Sequence, residues 1–225
     1  MKVILIINGI DDLAKALAKR LTSKYRVIIC TPHPVEQGVK TTQGVKCEGI
    51  AMDTTSLLNI ESVLQKIMET YGSIDCLING SYLVADTKLE NSNEKEIKKL
   101  LEMNLLGPIL VSKAVIPLMK KQAGGLIINM NLYSDFRSKN TGLINSLSNG
   151  TVTSFSRFLT KNLKKDSIPV TEILYEKVNR KLYTKDTLRK EALEIMYVER
   201  TVDTIELILS LSNGITIPRI TIKNS

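Results

Sequence analysis

Tryptophan is absent from this 225-residue sequence, and aromatic residues are limited to three phenylalanines and seven tyrosines. The 43% of residues that are hydrophobic must therefore build an aliphatic core of Ile, Leu and Val. That composition suits parallel strands buried on both faces, which read as continuous apolar runs. The same scarcity removes stacking platforms for bases, and no helix carries a recognition stripe, so nucleic acid is the partner class least supported. The three cysteines (Cys30, Cys47 and Cys76) are odd in number and far apart, which argues against a disulfide framework and against metal-ligand spacing. The one histidine, His33, lies between Pro32 and Pro34 and reads as an exposed loop residue rather than a general base or ligand. No unbroken apolar run approaches the roughly 18 residues that span a bilayer, so no membrane partner is expected. The opening MKVILIINGIDD is too short for a secretory signal and has no small-residue cleavage site. A cytoplasmic location is the expectation.

The net charge is +8, with lysines scattered along the chain rather than gathered in one run. This describes a solvated basic surface, or one that attracts a phosphate-bearing cofactor, an acidic carrier protein or, least of all, nucleic acid.

Apolar and helical periodicities alternate from end to end. Strands are expected at Val3–Asn8, Arg26–Cys30, Glu48–Met52, Ser73–Asn79, Leu126–Asn131, Val170–Tyr175 and Thr216–Ile222. Helices are expected at Asp12–Ser23, Ser56–Tyr71, Asn93–Gln122, Ser146–Leu163, Thr184–Met196 and Val202–Leu211. The expected fold class is α/β: a Rossmann-type doubly wound parallel sheet of about seven strands in three layers (α/β/α), forming one domain over 1–225. Ligands of such sheets sit beyond the carboxyl ends of the strands, here Asn8-Gly9, Cys30-Thr31, Asp53, Asn79-Gly80 and Asn131-Leu132.

A Rossmann turn needs glycines so that backbone amides approach a pyrophosphate at a helix N-terminus. The first turn, Asn8-Gly9-Ile10-Asp11-Asp12, keeps only Gly9, and its aspartates suit helix capping while repelling phosphate. The second strand ends in Cys30-Thr31-Pro32, which supplies neither the acid that would bind a ribose nor an arginine for a 2′-phosphate.

Several segments carry a resemblance. MDTTS, with Asp53, looks like an Asp-Val-Thr segment after a third strand, and IDCLINGSY looks like D-x-L-V-N-N-A-G, with Asn79 on its first asparagine and Gly80, Ser81 and Tyr82 replacing the rest. MNLLGPILVSKAVIPLMKKQAGGLIINMN, covering 103–131, is the most specific. SIPVTEI and NGITIPRITI are weaker matches to later strands. Together they resemble the short-chain dehydrogenase/reductase family across essentially the whole chain, most nearly its 3-oxoacyl-[acyl-carrier-protein] reductases.

The resemblance implies hydride transfer between NAD or NADP and a carbonyl or alcohol. In that family a tyrosine serves as acid/base, a lysine four residues later lowers its pKa, and a serine holds the substrate oxygen; a phenol near pKa 10 needs such a cation to exchange protons near neutrality. Aligned from the helix FSRFLTKNL, the tyrosine position falls on Asn145, the lysine position on Asn149 and the serine position on Leu132, while Asn104 retains the active-site asparagine. The implied cofactor cleft comprises Gly9, Ile10, Thr31, Asp53, Asn79 and Gly80, with binding weak or lost.

The expectation is a degenerate, non-catalytic homologue or partner subunit, forming homo- or hetero-oligomers through helices 98–121 and 146–163. Two alternatives stand beside it. One is an active oxidoreductase rebuilt from Tyr133, Ser134, Asp135, Lys139, Ser146 and Ser148. The other is a scaffold subunit that binds an acidic carrier protein.

Overall fold

The computed structural model describes residues 1–7, 12–32, 47–80, 91–132, 143–175, 187–211 and 215–223; at Asp12, Leu132, 143–149 and 187–197 it describes the backbone only. Strands β1 (Val3–Ile7), β2 (Arg26–Thr31), β3 (Cys47–Ala51), β4 (Cys76–Asn79), β5 (Leu126–Leu132), β6 (Val170–Tyr175) and β7 (Arg219–Ile222) form one seven-stranded sheet in the order β3-β2-β1-β4-β5-β6-β7. Every pairing is parallel. Strand order reverses between β1 and β4, the place where a doubly wound sheet opens its ligand crevice. This is the expected Rossmann-like α/β fold.

Helices α1 (Asp12–Leu21), α2 (Leu57–Tyr71), α3 (Glu94–Leu101), α4 (Gly107–Lys121), α5 (Leu143–Leu163) and α6 (Thr187–Ser210) cover the sheet. Alternation along β1 divides the core. Val3, Leu5 and Ile7 pack in a cluster with α2, α4 and α5 residues, whereas Ile4 and Ile6 pack with Leu17, Leu21, Val202 and Ile205 of α1 and α6. Ser56 caps α2 by accepting from the Asn59 amide at 3.3 Å, and Asn93 opens α3 with a capping box completed by Glu96.

Five expectations need correction. The helix expected over Asn93–Gln122 is continuous but widens into a π-turn at Glu102–Leu106, where the Gly107 amide donates to the Glu102 carbonyl. Pro108 explains the widening: it has no amide to donate to the Asn104 carbonyl, and its ring crowds that position. This helical run, Glu94–Lys121, is also long and apolar enough over an 18-residue window to cross a membrane, by length and composition alone. Asn104, Ser112 and Lys113 interrupt its apolar residues without making the run polar.

The third correction merges the two helices expected over Thr184–Met196 and Val202–Leu211 into α6. The charges that break the apolar pattern there face outward, and Arg20 of α1 binds Glu199, Asp203 and Glu206. Finally, β4 begins at Cys76 rather than Ser73, because Asp75 is spent tying the loop: its carboxylate accepts from the Val3 amide at 2.7 Å and from the Ser73 hydroxyl at 2.8 Å. The closing strand is likewise shorter than expected and starts after Pro218.

Candidate functional site

One register row crosses all seven strands: Ile50, Cys30, Ile7, Asn79, Asn129, Glu172 and Arg219, from β3 to β7. Up to β1 the row is apolar. From β4 onward, past the reversal of strand order, every member is polar.

The polar half is internally hydrogen-bonded, and all of it but Arg219 is buried. The Asn79 Nδ2 donates to Asn129 Oδ1 at 2.8 Å and to Ser112 Oγ of α4 at 3.2 Å. The Asn129 Nδ2 donates to Ser156 Oγ of α5 at 2.8 Å. Glu172 is buried, with 1% of its surface exposed. Its Oε1 accepts from Asn131 Nδ2 at 2.8 Å and from the Thr153 hydroxyl at 2.5 Å, while Oε2 accepts from Arg219 Nε at 2.8 Å and pairs with the second guanidinium nitrogen at 2.6 Å. A buried carboxylate persists only with such pairing.

Asn104 is buried in the π-turn and lines a cavity of about 10 Å3 with Asn79, Gly80, Pro108, Asn129, Met130, Val152 and Phe155. Gly80 follows β4 directly, and its amide donates to the Ile7 carbonyl at 3.2 Å. A Cβ there would sit 3.1 Å from that carbonyl, a tight contact that the β1 backbone would have to relieve by a few tenths of an ångström, so the crevice between β1 and β4 favours glycine. Gly107, at the end of the π-turn, meets a similar limit, since a Cβ would come within 2.9 Å of Thr54 Oγ1.

The remaining expected residues separate. Thr31 ends β2 and is buried, with its carbonyl accepting from the Met52 amide at 2.8 Å. Asp53 is exposed beyond β3; its Oδ1 accepts from the Thr55 hydroxyl at 2.7 Å and amide at 2.9 Å, which hold its carboxyl below the usual carboxylate range. Leu132 closes β5 opposite Tyr175. Asn145 and Asn149 lie in the first turns of α5, and their spacing of four places them on one helix face. Gly9, Ile10, Asp11, His33, Ser81, Tyr82, Tyr133, Ser134, Asp135 and Lys139 fall outside the described residues.

A dinucleotide can be tested against what is described. Two members of the implied cleft fit: Asp53 is exposed and ionised at a strand end, and Gly80 presents no side chain to the crevice. The ribose side has only the buried Thr31 at the end of β2. No group of three or more His, Cys, Asp or Glu residues able to hold a metal occurs among the described residues.

The family model for short chain dehydrogenases matches residues 2–188. The chain belongs to the short-chain dehydrogenase family. An uncharacterized oxidoreductase of Thermotoga maritima is 29% identical over 135 residues, which are 58% of this chain and 53% of that protein. The 3-oxoacyl-[acyl-carrier-protein] reductase of Escherichia coli K12 is 28% identical over 131 residues, covering 57% of this chain and 54% of the reductase. The matched region thus spans about half the length of both relatives. Among solved structures, a metagenomic short-chain oxidoreductase in complex with NADP superposes with a TM-score of 0.81 at 16% identity, covering 100% of this chain and 97% of the other. Serine dehydrogenase from Escherichia coli gives a TM-score of 0.83 at 17% identity, covering 98% and 96%. These structural likenesses establish the fold.

The short-chain dehydrogenase fold is thus present with a polar network that the residue pattern did not single out: Ser112, Asn129, Asn131, Thr153, Ser156, Glu172 and Arg219. A signal existed. Asn129 and Asn131 alternate within the apolar strand LIINMNL, and Glu172 interrupts the apolar strand VTEILY. A polar residue in a strand buried on both faces implies a buried partner.

Proposed function

We propose that this short-chain dehydrogenase-family chain is a non-catalytic member that works as a partner subunit and binds NAD or NADP weakly or not at all. The observation that carries the reading is the chemistry at the three aligned positions. Leu132 offers no hydrogen bond to a substrate oxygen, and the amides of Asn145 and Asn149 neither exchange a proton nor supply a fixed cation at neutral pH. A nicotinamide cofactor, when bound, supplies or accepts a hydride. Thr31, Asp53, Asn79 and Gly80 are the described residues that would line its cleft.

The partner role draws on apolar surface left uncovered. Leu101 and Leu106 are 38% and 40% exposed on the 98–121 helix, and Phe158 is 62% exposed on the 146–163 helix. Such exposure on adjacent apolar helices supports this reading: a second copy of the chain or a related subunit would cover it in the cytoplasm. The net charge of +8 also suits an acidic carrier protein, whose binding would weaken as salt rises.

The test mixes purified protein with NADH or NADPH and follows thermal unfolding and turnover. A ligand that binds the folded state raises the melting temperature by mass action. The reading expects little or no shift and no reduction of a 3-oxoacyl thioester. Turnover by the chain alone would overturn it.

A further inference from the structure

We propose that Asn79 and Asn104 together hold a single buried water molecule between the end of β4, the π-turn and α5, and that Asn104 occupies its position for this structural task. Asn79 is 3% exposed, and its Nδ2 is committed to Asn129 and Ser112. Its Oδ1 has no hydrogen-bond partner among the described residues. A buried amide oxygen left bare bears its full desolvation penalty, and buried polar atoms in native proteins are almost always satisfied by protein or ordered water.

The cavity of about 10 Å3 lies against this residue and is also lined by Asn104, Asn129, Pro108, Val152 and Phe155. A space of that size admits about one water, and a water stays only where it meets several polar groups; an apolar pocket stays dry. Asn104 and Asn129 line the same space beside Asn79 and bring further polar groups to it. Turning the Asn79 amide over would set two amide oxygens against each other at Asn129, so the bare group is the acceptor.

The π-turn makes the site possible, because the widened backbone ahead of Pro108 carries Asn104 on the buried side of the helix. This accounts for an asparagine at 104 in a chain with leucine and asparagines at 132, 145 and 149. The residue completes the hydration of Asn79 whether or not any hydride is transferred.

A high-resolution crystal structure of the full chain tests the site directly. The expected result is one ordered water within roughly 2.7–3.2 Å of both the Asn79 and Asn104 side chains. A clear map with no peak there, or with a protein donor on Asn79 Oδ1, overturns the proposal. Asn104→Ala is expected to lower the melting temperature by about 3–6 °C through loss of one water ligand. An unchanged melting temperature with altered NADPH binding or turnover would assign Asn104 to the reaction and refute the structural role. Should the variant not fold, the wild-type map alone decides.

Discussion

Replacing Arg219 with methionine isolates the buried carboxylate at Glu172. Methionine keeps an apolar stem of similar reach and removes only the guanidinium. In the native protein that group provides two contacts to Glu172 Oε2, at 2.8 and 2.6 Å, and the remaining donors, Asn131 and Thr153, serve the other oxygen. Removing one member of a fully buried pair costs about 3–5 kcal/mol, because the other charge is left uncompensated. Here the Arg219 side chain is 37% exposed against 2% for Glu172, so water reaches the cation and the expected cost falls to about 2 kcal/mol. For a chain of this length that corresponds to a melting temperature lowered by roughly 4–8 °C. Thermal unfolding of Arg219→Met, Glu172→Leu and the double variant forms a cycle. The double variant should recover part of the loss, since no lone charge remains, although Asn131 and Thr153 then lack their acceptor. A change below about 1 °C in Arg219→Met, or strictly additive losses across the cycle, would refute the view that Glu172 depends on Arg219.

Further outcomes follow from the site and the surface. Phe158→Glu and Leu106→Glu should shift the chain towards a smaller species by light scattering while leaving its melting temperature nearly unchanged; an unaltered mass would place the partner surface elsewhere. The triple variant Leu132→Ser, Asn145→Tyr, Asn149→Lys restores the aligned serine, tyrosine and lysine, and should gain NADPH-dependent reduction of a 3-oxoacyl thioester if weak cofactor binding is not limiting. A thermal shift with NADPH in that variant but no turnover would show that the cleft binds without aligning substrate. Burial pushes the Cys30 thiol up to about 12 and the Cys47 thiol up to about 11. The unfolded chain ionises these thiols first, so stability holds below about pH 9 and declines as pH rises towards about 11 for Cys47 and about 12 for Cys30. Cys30→Val should flatten that alkaline decline in urea titrations by about 1.4 kcal/mol per pH unit.

The sheet was legible because the apolar runs of β1 and β2 are unbroken, and β6 lies at Val170–Tyr175 as expected even though Glu172 interrupts it. What misled the reading was chemistry that periodicity does not register. Pro108 sits amid good helix formers, so the pattern runs through it while the backbone widens. Glu199 and Arg200 interrupt an apolar stripe yet continue α6, because charged residues on an outward face cost a helix little. Asp75 has strand neighbours but serves as a hydrogen-bond anchor for the Val3 amide. At the site, Asn79 and Asn104 stood out through resemblance, whereas Asn129, Glu172 and Arg219 did not, because their partnership spans 47 residues between Glu172 and Arg219 and exists only once β6 and β7 are paired.

The change of character along the seven-strand row bears on how the strands find their alignment. Where Cys30 and Ile7 meet, a two-residue slide that brings Leu5 or Ile28 into the row would still bury an aliphatic side chain against an apolar neighbour, and little distinguishes the right pairing from the wrong one. Beyond β4 that tolerance ends. A two-residue slide of β6 alone would bring Val170 or Leu174 beside Asn129 and strand a carboxylate away from Arg219. The carboxyl-terminal strands are thereby locked in register by directional partners, while the amino-terminal strands rely on their connecting helices for alignment.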